Sequence, residues 1–256
     1  MINKVGIQTF TIRKQIQTSQ GLEDTFRLYA KKGIKRFELS RLNFSKEEMV
    51  VLKKLKVELG LDYTACQIPL RKIIKDFDFL MDFCNTLDIK YMEVSVIPIM
   101  SFLKKEKGIL ELAKALNELG KRTNEKNVKL LYHHHNYELI KFSDNLSFDI
   151  LVSSTNKELV NFVCDTYWLA RSGYSPAEFI SAKKDRIKGV HLRDNKLFYK
   201  FGKFKSIDTV IGNGTISFKA IMDKDSEWGI DFYSIEQDTK TPKKDIMTSY
   251  NYLKEL

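Results

Sequence analysis

The stretch Val128-Lys129-Leu130-Leu131-Tyr132-His133-His134-His135-Asn136-Tyr137-Glu138 combines a buried-strand signal with most of the chain's scarce chemistry. An apolar run leads in, and side chains on a strand alternate faces, so His133 and His135 project one way and His134 the other. Three of the chain's four histidines stand here, with a carboxylate one loop further on. A run of three inside the chain is no purification tag. Solvated imidazoles at a frayed strand end are the plain alternative. The choice depends on whether other strands bring ligand-type side chains to the same place.

Outward from this stretch the chain alternates strand and helix signals. Apolar strand runs fall at residues 4–10, 34–39, 61–68, 89–97, 128–135, 159–166, 186–193 and 230–237. Helical spacing fills the gaps: 22–32 ending at Gly33, 45–60 opened by the capping box Ser45-Lys46-Glu47-Glu48, 73–87, 109–126, 146–152, a helix begun by Pro176, 217–224 and 243–256. Residues 195–215, rich in Lys and Phe, read as the longest irregular stretch. Eight strand–helix units in 256 residues predict an α/β protein, a single (β/α)8 TIM barrel over residues 1–256. The competing open sheet lacks any GxGxxG or P-loop glycine cluster.

Composition narrows the function classes. Hydrophobic residues make up 43%, enough for a sizeable core, and 12 Gly with 4 Pro leave no flexible linker. No window has the apolar length of a membrane span, and Met1-Ile2-Asn3-Lys4-Val5 leads into a strand rather than a signal peptide. Cys66, Cys84 and Cys164, odd in number and without a CxxC pair, read as reduced thiols, so a cytoplasmic location is expected. The net charge of +10 is spread in lysine pairs along helix faces and interleaved with acids. That is the pattern of solvated outer helices, not of a nucleic-acid or membrane surface.

In a barrel of this kind the site lies at the C-terminal strand ends. Glu38, the 133–138 cluster, Asp165, His191 and Glu236 stand there. Each alone has an ordinary explanation: a helix cap, a lysine partner, a satisfied core histidine. Together they form an oxygen/nitrogen donor set suited to a divalent ion such as Mn²⁺, Mg²⁺, Co²⁺ or Zn²⁺.

Several ordered segments carry a family resemblance. Tyr132-His133-His134-His135-Asn136-Tyr137-Glu138 resembles the Y-H-N-H-x-x-E strand end of the sugar phosphate isomerase/epimerase proteins, the xylose-isomerase-like barrels. Gly6-Ile7-Gln8-Thr9-Phe10-Thr11-Ile12-Arg13, the segment from Cys164 to Gly173, His191-Leu192-Arg193-Asp194, the turn from Ile211 to Phe218, and Ser234-Ile235-Glu236-Gln237-Asp238 are similar to further segments of that family, in order. Residues 5–238 are covered. His134 stands where the family usually has Asn, Arg193 where it has Lys, and Thr64-Ala65-Cys66-Gln67 lacks a histidine often found there.

The resemblance implies a metal held by Asp165, His191 and Glu236. For the fourth ligand it leaves His133 or Glu138, and Glu138 is preferred because a third carboxylate suits a hard cation. It also implies an isomerase or epimerase of a keto-sugar or sugar phosphate, working through an enediolate. Glu236 is the expected base and His133 or His135 the second acid/base. Trp168, Arg193, Arg13 and Gln8 are the expected substrate contacts. A dehydratase acting on a keto-sugar or keto-inositol is the alternative, since it begins with the same proton. A DNA repair endonuclease of the same barrel needs a three-zinc cluster, for which four histidines, three adjacent, are too few. A catalytically silent sugar-binding barrel is countered by retention of the ligand set. The expected partner is a small carbohydrate, with homo-oligomers admitted.

Overall fold

The computed structural model describes residues 2–96, 98–142, 144–200 and 202–256, without the side chains of residues 99, 100, 200, 203 and 204. Eight parallel strands close a barrel: β1 Val5–Gln8, β2 Arg36–Leu39, β3 Asp62–Ile68, β4 Tyr91–Val94, β5 Lys129–His133, β6 Val160–Asp165, β7 Ile187–Leu192 and β8 Phe232–Ile235. Their order around the barrel follows the sequence, with β1 closing against β8. Observed strands are shorter than the apolar runs that announce them, because the runs continue into turns. Met1, Ile97 at the far end of the expected fourth strand, and Phe201 within the expected loop lie outside the described residues.

Helices cover the barrel, and the main apolar core lies between them and the outward strand faces. Phe26 of helix Ser19–Lys31 stacks on Phe37 of β2 with centroids 4.1 Å apart. The capping box forms as its sequence dictates: Glu48 N–H donates to Ser45 Oγ at 3.2 Å, and Ser45 N–H to Glu48 Oε2 at 3.1 Å. Pro176 occupies the first turn of helix Pro176–Lys183. All three cysteines are free and buried. Among the described residues no helix is long and apolar enough to cross a membrane.

The barrel interior is layered. Low down, Ala65, Leu131, Val163 and Phe232 pack together, with Tyr91 against them. Gly189 leaves the space that the Phe232 ring fills, since a Cβ there would stand 2.3 Å from it. Two residues further along each strand the inward positions become polar: Gln67, Glu93, His133, Asp165, His191 and Ser234. Apolar packing thus closes the bottom and polar groups fill the top.

Three expectations change. The helix expected over 73–87 is two, Leu70–Lys75 and Phe77–Thr86, parted at Asp76. A short helix, Thr166–Arg171, follows β6 directly. The stretch read as irregular from residue 195 contains an antiparallel hairpin, Asp194–Lys200 with Lys203–Thr209. Its lysines masked the strand alternation. Asp194 anchors the hairpin base by accepting from the N–H groups of Gly212, Gly214 and Ile216 at 2.8–3.2 Å.

Candidate metal centre

At the top of the barrel His133, Asp165, His191 and Glu236 bring one ligand atom each to within 4.8 Å of one another, and all four are buried. Each arrives from a strand end. His133 closes β5, Asp165 closes β6, His191 lies on β7 opposite Asp165 and Ser234, and Glu236 follows β8. The His133 and His191 rings approach to 4.5 Å. The order of strands, not proximity in the chain, makes the cluster.

Its donor atoms are largely unspent. Among the described residues, both ring nitrogens of His133, Nδ1 of His191 and Oε2 of Glu236 are buried without a hydrogen-bond partner. His191 Nδ1 and Glu236 Oε2 stand 2.7 Å apart, in contact but not aligned as a hydrogen bond. Buried polar atoms without partners are costly. A cation among these lone pairs would satisfy them, and a mixed imidazole/carboxylate set suits Mn²⁺, Co²⁺ or Zn²⁺. The donors fit a divalent ion.

Asp165 divides its two oxygens. Oδ1 accepts from Tyr167 N–H at 2.8 Å and Trp168 N–H at 3.1 Å, capping the following helix; Oδ2 faces Arg193 Nη1 at 3.2 Å and His133 Nε2 at 3.8 Å. The cap and the candidate ligand are one carboxylate. Burial pushes its pKa up, but Arg193 and His133 outweigh this and hold it well below the usual range. Glu236 behaves alike: against burial, Arg193 and His191 draw it down to about 2.

The histidines separate as strand alternation requires. His134 turns outward against Phe148 and Phe179, and its Nε2 accepts from Asp165 N–H at 3.1 Å. Its Nδ1–H donates to His135 O, so the ring is neutral, and burial lowers its pKa to about 4. His135 turns inward beside Trp168, and burial lowers it to about 3. Above the cluster lies a cavity of about 640 Å³ whose lining includes Phe10, Gln67, His135, Trp168, Arg193 and Glu236. That is room for a sugar-sized molecule.

Three expected site residues are elsewhere. Glu138 is not in the ligand group: its Oε1 accepts from Tyr132 Oη at 2.6 Å and its Oε2 from His135 N–H at 2.7 Å, pinning the loop after β5. His133, the other possibility, stands in the candidate group instead, because β5 carries that ring inward. Gln8 is fully buried below the cavity, bound to Phe10 N–H and Gln67 Oε1. Arg13 lies outside the lining; it pairs with Asp238 at 2.7 Å and stacks on Phe10.

Glu38 stands at a strand end as the sequence expected, while Glu93 and Asp208 escaped it. Glu38 Oε1 and Oε2 both lie 2.9 Å from His191 Nε2. Glu93 sits beneath, bonded to Gln67 at 2.7 Å, and burial together with the Glu38 charge raises its pKa far above the carboxylate range. A lone acid inside the apolar strand Tyr91-Met92-Glu93-Val94 was the available signal. Asp208, from the hairpin, binds Arg193.

A family profile described as Xylose isomerase-like TIM barrel matches residues 26–256. The chain belongs to that family. Within it, the chain is 32% identical to the inosose dehydratase of Clostridium beijerinckii over 160 residues, 56% of this chain and 53% of that protein. To the inosose dehydratase of Clostridium perfringens it is 29% identical over 215 residues, 73% of this chain and 72% of that one. The chain thus spans about half to three quarters of the length of these curated relatives. Among solved structures, a sugar phosphate isomerase/epimerase from Parabacteroides distasonis superposes with a TM-score of 0.79 at 19% identity, covering 99% of this chain and 96% of that one, a likeness of fold.

Proposed function

We propose that this chain is a divalent-metal enzyme that removes the α-proton of a keto-inositol or keto-sugar, and that the net reaction is loss of water. The observation that carries the enolising step is the convergence of His133, Asp165, His191 and Glu236, with four of their buried donor atoms unspent, under a sugar-sized cavity. The similarity to inosose dehydratases favours water loss over the epimerisation expected from sequence.

These four residues would hold the ion. Bound there, it would supply Lewis acidity toward a carbonyl oxygen. The protein groups do the rest. Glu236, ionised and lining the cavity, takes the proton. Arg193 Nη1, at 3.2 Å from both Asp165 Oδ2 and Glu236 Oε1, adds a fixed positive charge beside the developing enolate. His135, neutral and on the cavity wall, relays the proton that Glu236 has taken to the departing hydroxyl, which leaves as water, so that both side chains return to their starting states. Trp168 offers a flat face to a ring, and its buried Nε1–H, without a partner among the described residues, is free to donate to a hydroxyl.

The second reading, epimerisation, rests on His135 standing as a second proton-exchanging group; it differs only in returning the proton to carbon. Proton NMR in deuterated water with inosose and a panel of ketoses tests both. Wild type exchanges the α-hydrogen, and Glu236→Gln slows exchange by roughly 10²–10⁴-fold. His135→Gln retains exchange but loses product. Full exchange and turnover in Glu236→Gln would refute the assignment.

A further inference from the structure

Glu38 reaches His191 across the barrel interior, from the end of β2 to β7, 153 residues away in the chain. Both of its oxygens lie 2.9 Å from His191 Nε2, and its side chain is fully buried. Among the described residues no lysine or arginine pairs with it. A carboxylate held in a barrel interior with an imidazole as its sole close hydrogen-bond partner needs a reason to be there. The far side of the same ring supplies one: His191 Nδ1, buried and without an aligned hydrogen bond among the described residues, lies 2.7 Å from Glu236 Oε2 of the candidate group.

A neutral imidazole carries one N–H. When Nε2 holds it, Nδ1 keeps its lone pair for a ligand; when Nδ1 holds it, the ring cannot ligate there. Two Glu38 oxygens lie at 2.9 Å from Nε2, whereas the one oxygen near Nδ1, Glu236 Oε2 at 2.7 Å, is not aligned as an acceptor, and this favours the Nε2–H form. We propose that Glu38 is the positioning residue of the metal centre: by accepting the Nε2–H of His191 it fixes the tautomer and the ring plane that aim Nδ1 at the ion. The neighbouring network keeps Glu38 free for this. Glu93, the other buried acid near the ring, stands 3.9 Å from Nε2 and is engaged by Gln67, which is held in turn by Gln8. The inference rests on the metal reading above.

Metal-free protein, titrated with Mn²⁺ and followed by electron paramagnetic resonance of the free ion, tests it. Wild type takes one ion per chain. Glu38→Gln keeps the shape but loses the charge and one acceptor, and its affinity falls 10–100-fold, the usual cost of removing such a partner. Glu38→Asp, which retains the charge but retracts it by one methylene, falls less. Thermal melts of the metal-free variants separate misfolding from lost positioning. A second readout looks at the ring itself: ¹⁵N spectra of histidine-labelled, Zn²⁺-loaded protein show His191 protonated on Nε2 in wild type and a mixed tautomer in Glu38→Gln. A folded Glu38→Gln chain with wild-type Mn²⁺ affinity overturns the role of Glu38 alone. Two ions per wild-type chain, one lost in Glu38→Gln, also overturn it, since Glu38 would then be a ligand. A wild type that takes up no ion overturns the metal centre and this role together.

Discussion

Arg193 and Asp208 join the barrel to the hairpin: Arg193 Nη2 and Nε donate to a single oxygen, Asp208 Oδ2, at 2.7 and 3.1 Å. The remaining nitrogen, Nη1, spans Asp165 and Glu236. One guanidinium thus compensates three carboxylates, and its planar fork is what allows it. Arg193→Met in the metal-free chain leaves those acids without a cation. The expected loss is about 3–5 kcal/mol of folding stability, read by urea denaturation. Arg193→Lys recovers only part, because a point charge cannot reach all three. Equal stability of the three proteins would refute this bridging role.

The ligand set is tested by stoichiometry. Elemental analysis after Mn²⁺ loading and dialysis should give about one ion per wild-type chain and none retained by Asp165→Ala, His191→Ala or His133→Ala. Glu138→Gln should retain the ion, since its carboxylate is committed to Tyr132 and His135 N–H. Its cost should appear in stability, about 1–3 kcal/mol for the weakened buried bonds. Metal loss in Glu138→Gln with retention in His133→Ala would restore the expectation from sequence.

His134 makes a pH prediction. Its pKa is about 4 in the fold, against 6.5 ordinarily. Between those values the unfolded chain binds the proton and the folded chain does not, so stability falls as pH drops from about 6.5 toward 4. At 1.36 kcal/mol per pH unit the loss is limited to about 3 kcal/mol. His134→Asn keeps an acceptor for Asp165 N–H and removes the titration. Its urea midpoint should therefore fall less steeply over that window; parallel curves would refute the assignment to His134.

Gly189→Ala probes the barrel's lower layer. The added methyl would meet the Phe232 ring at 2.3 Å. The expected cost is about 1–3 kcal/mol, recovered in part by Phe232→Leu in the double variant. Additive losses would show that the two side chains do not compete for that space.

The sequence by itself determined the architecture and most of the candidate ligand group. Eight apolar runs at regular spacing admit few topologies, and strand alternation alone separated His133 and His135 from His134. Asp165, His191 and Glu236 were legible because each ends an apolar run, where a polar residue is conspicuous. What remained to the tertiary structure were relations across the barrel. Glu38 and His191 are far apart in sequence and meet only because closing the sheet turns both inward. Glu138 was preferred as a ligand because a third carboxylate suits a hard cation, yet the turn after β5 spends that carboxylate on Tyr132 and the backbone. The hairpin that delivers Asp208 was hidden by lysines, since an exposed ribbon lacks the apolar alternation of a buried strand. Periodicity records which face of an element is buried. Only the closed fold decides which buried groups meet.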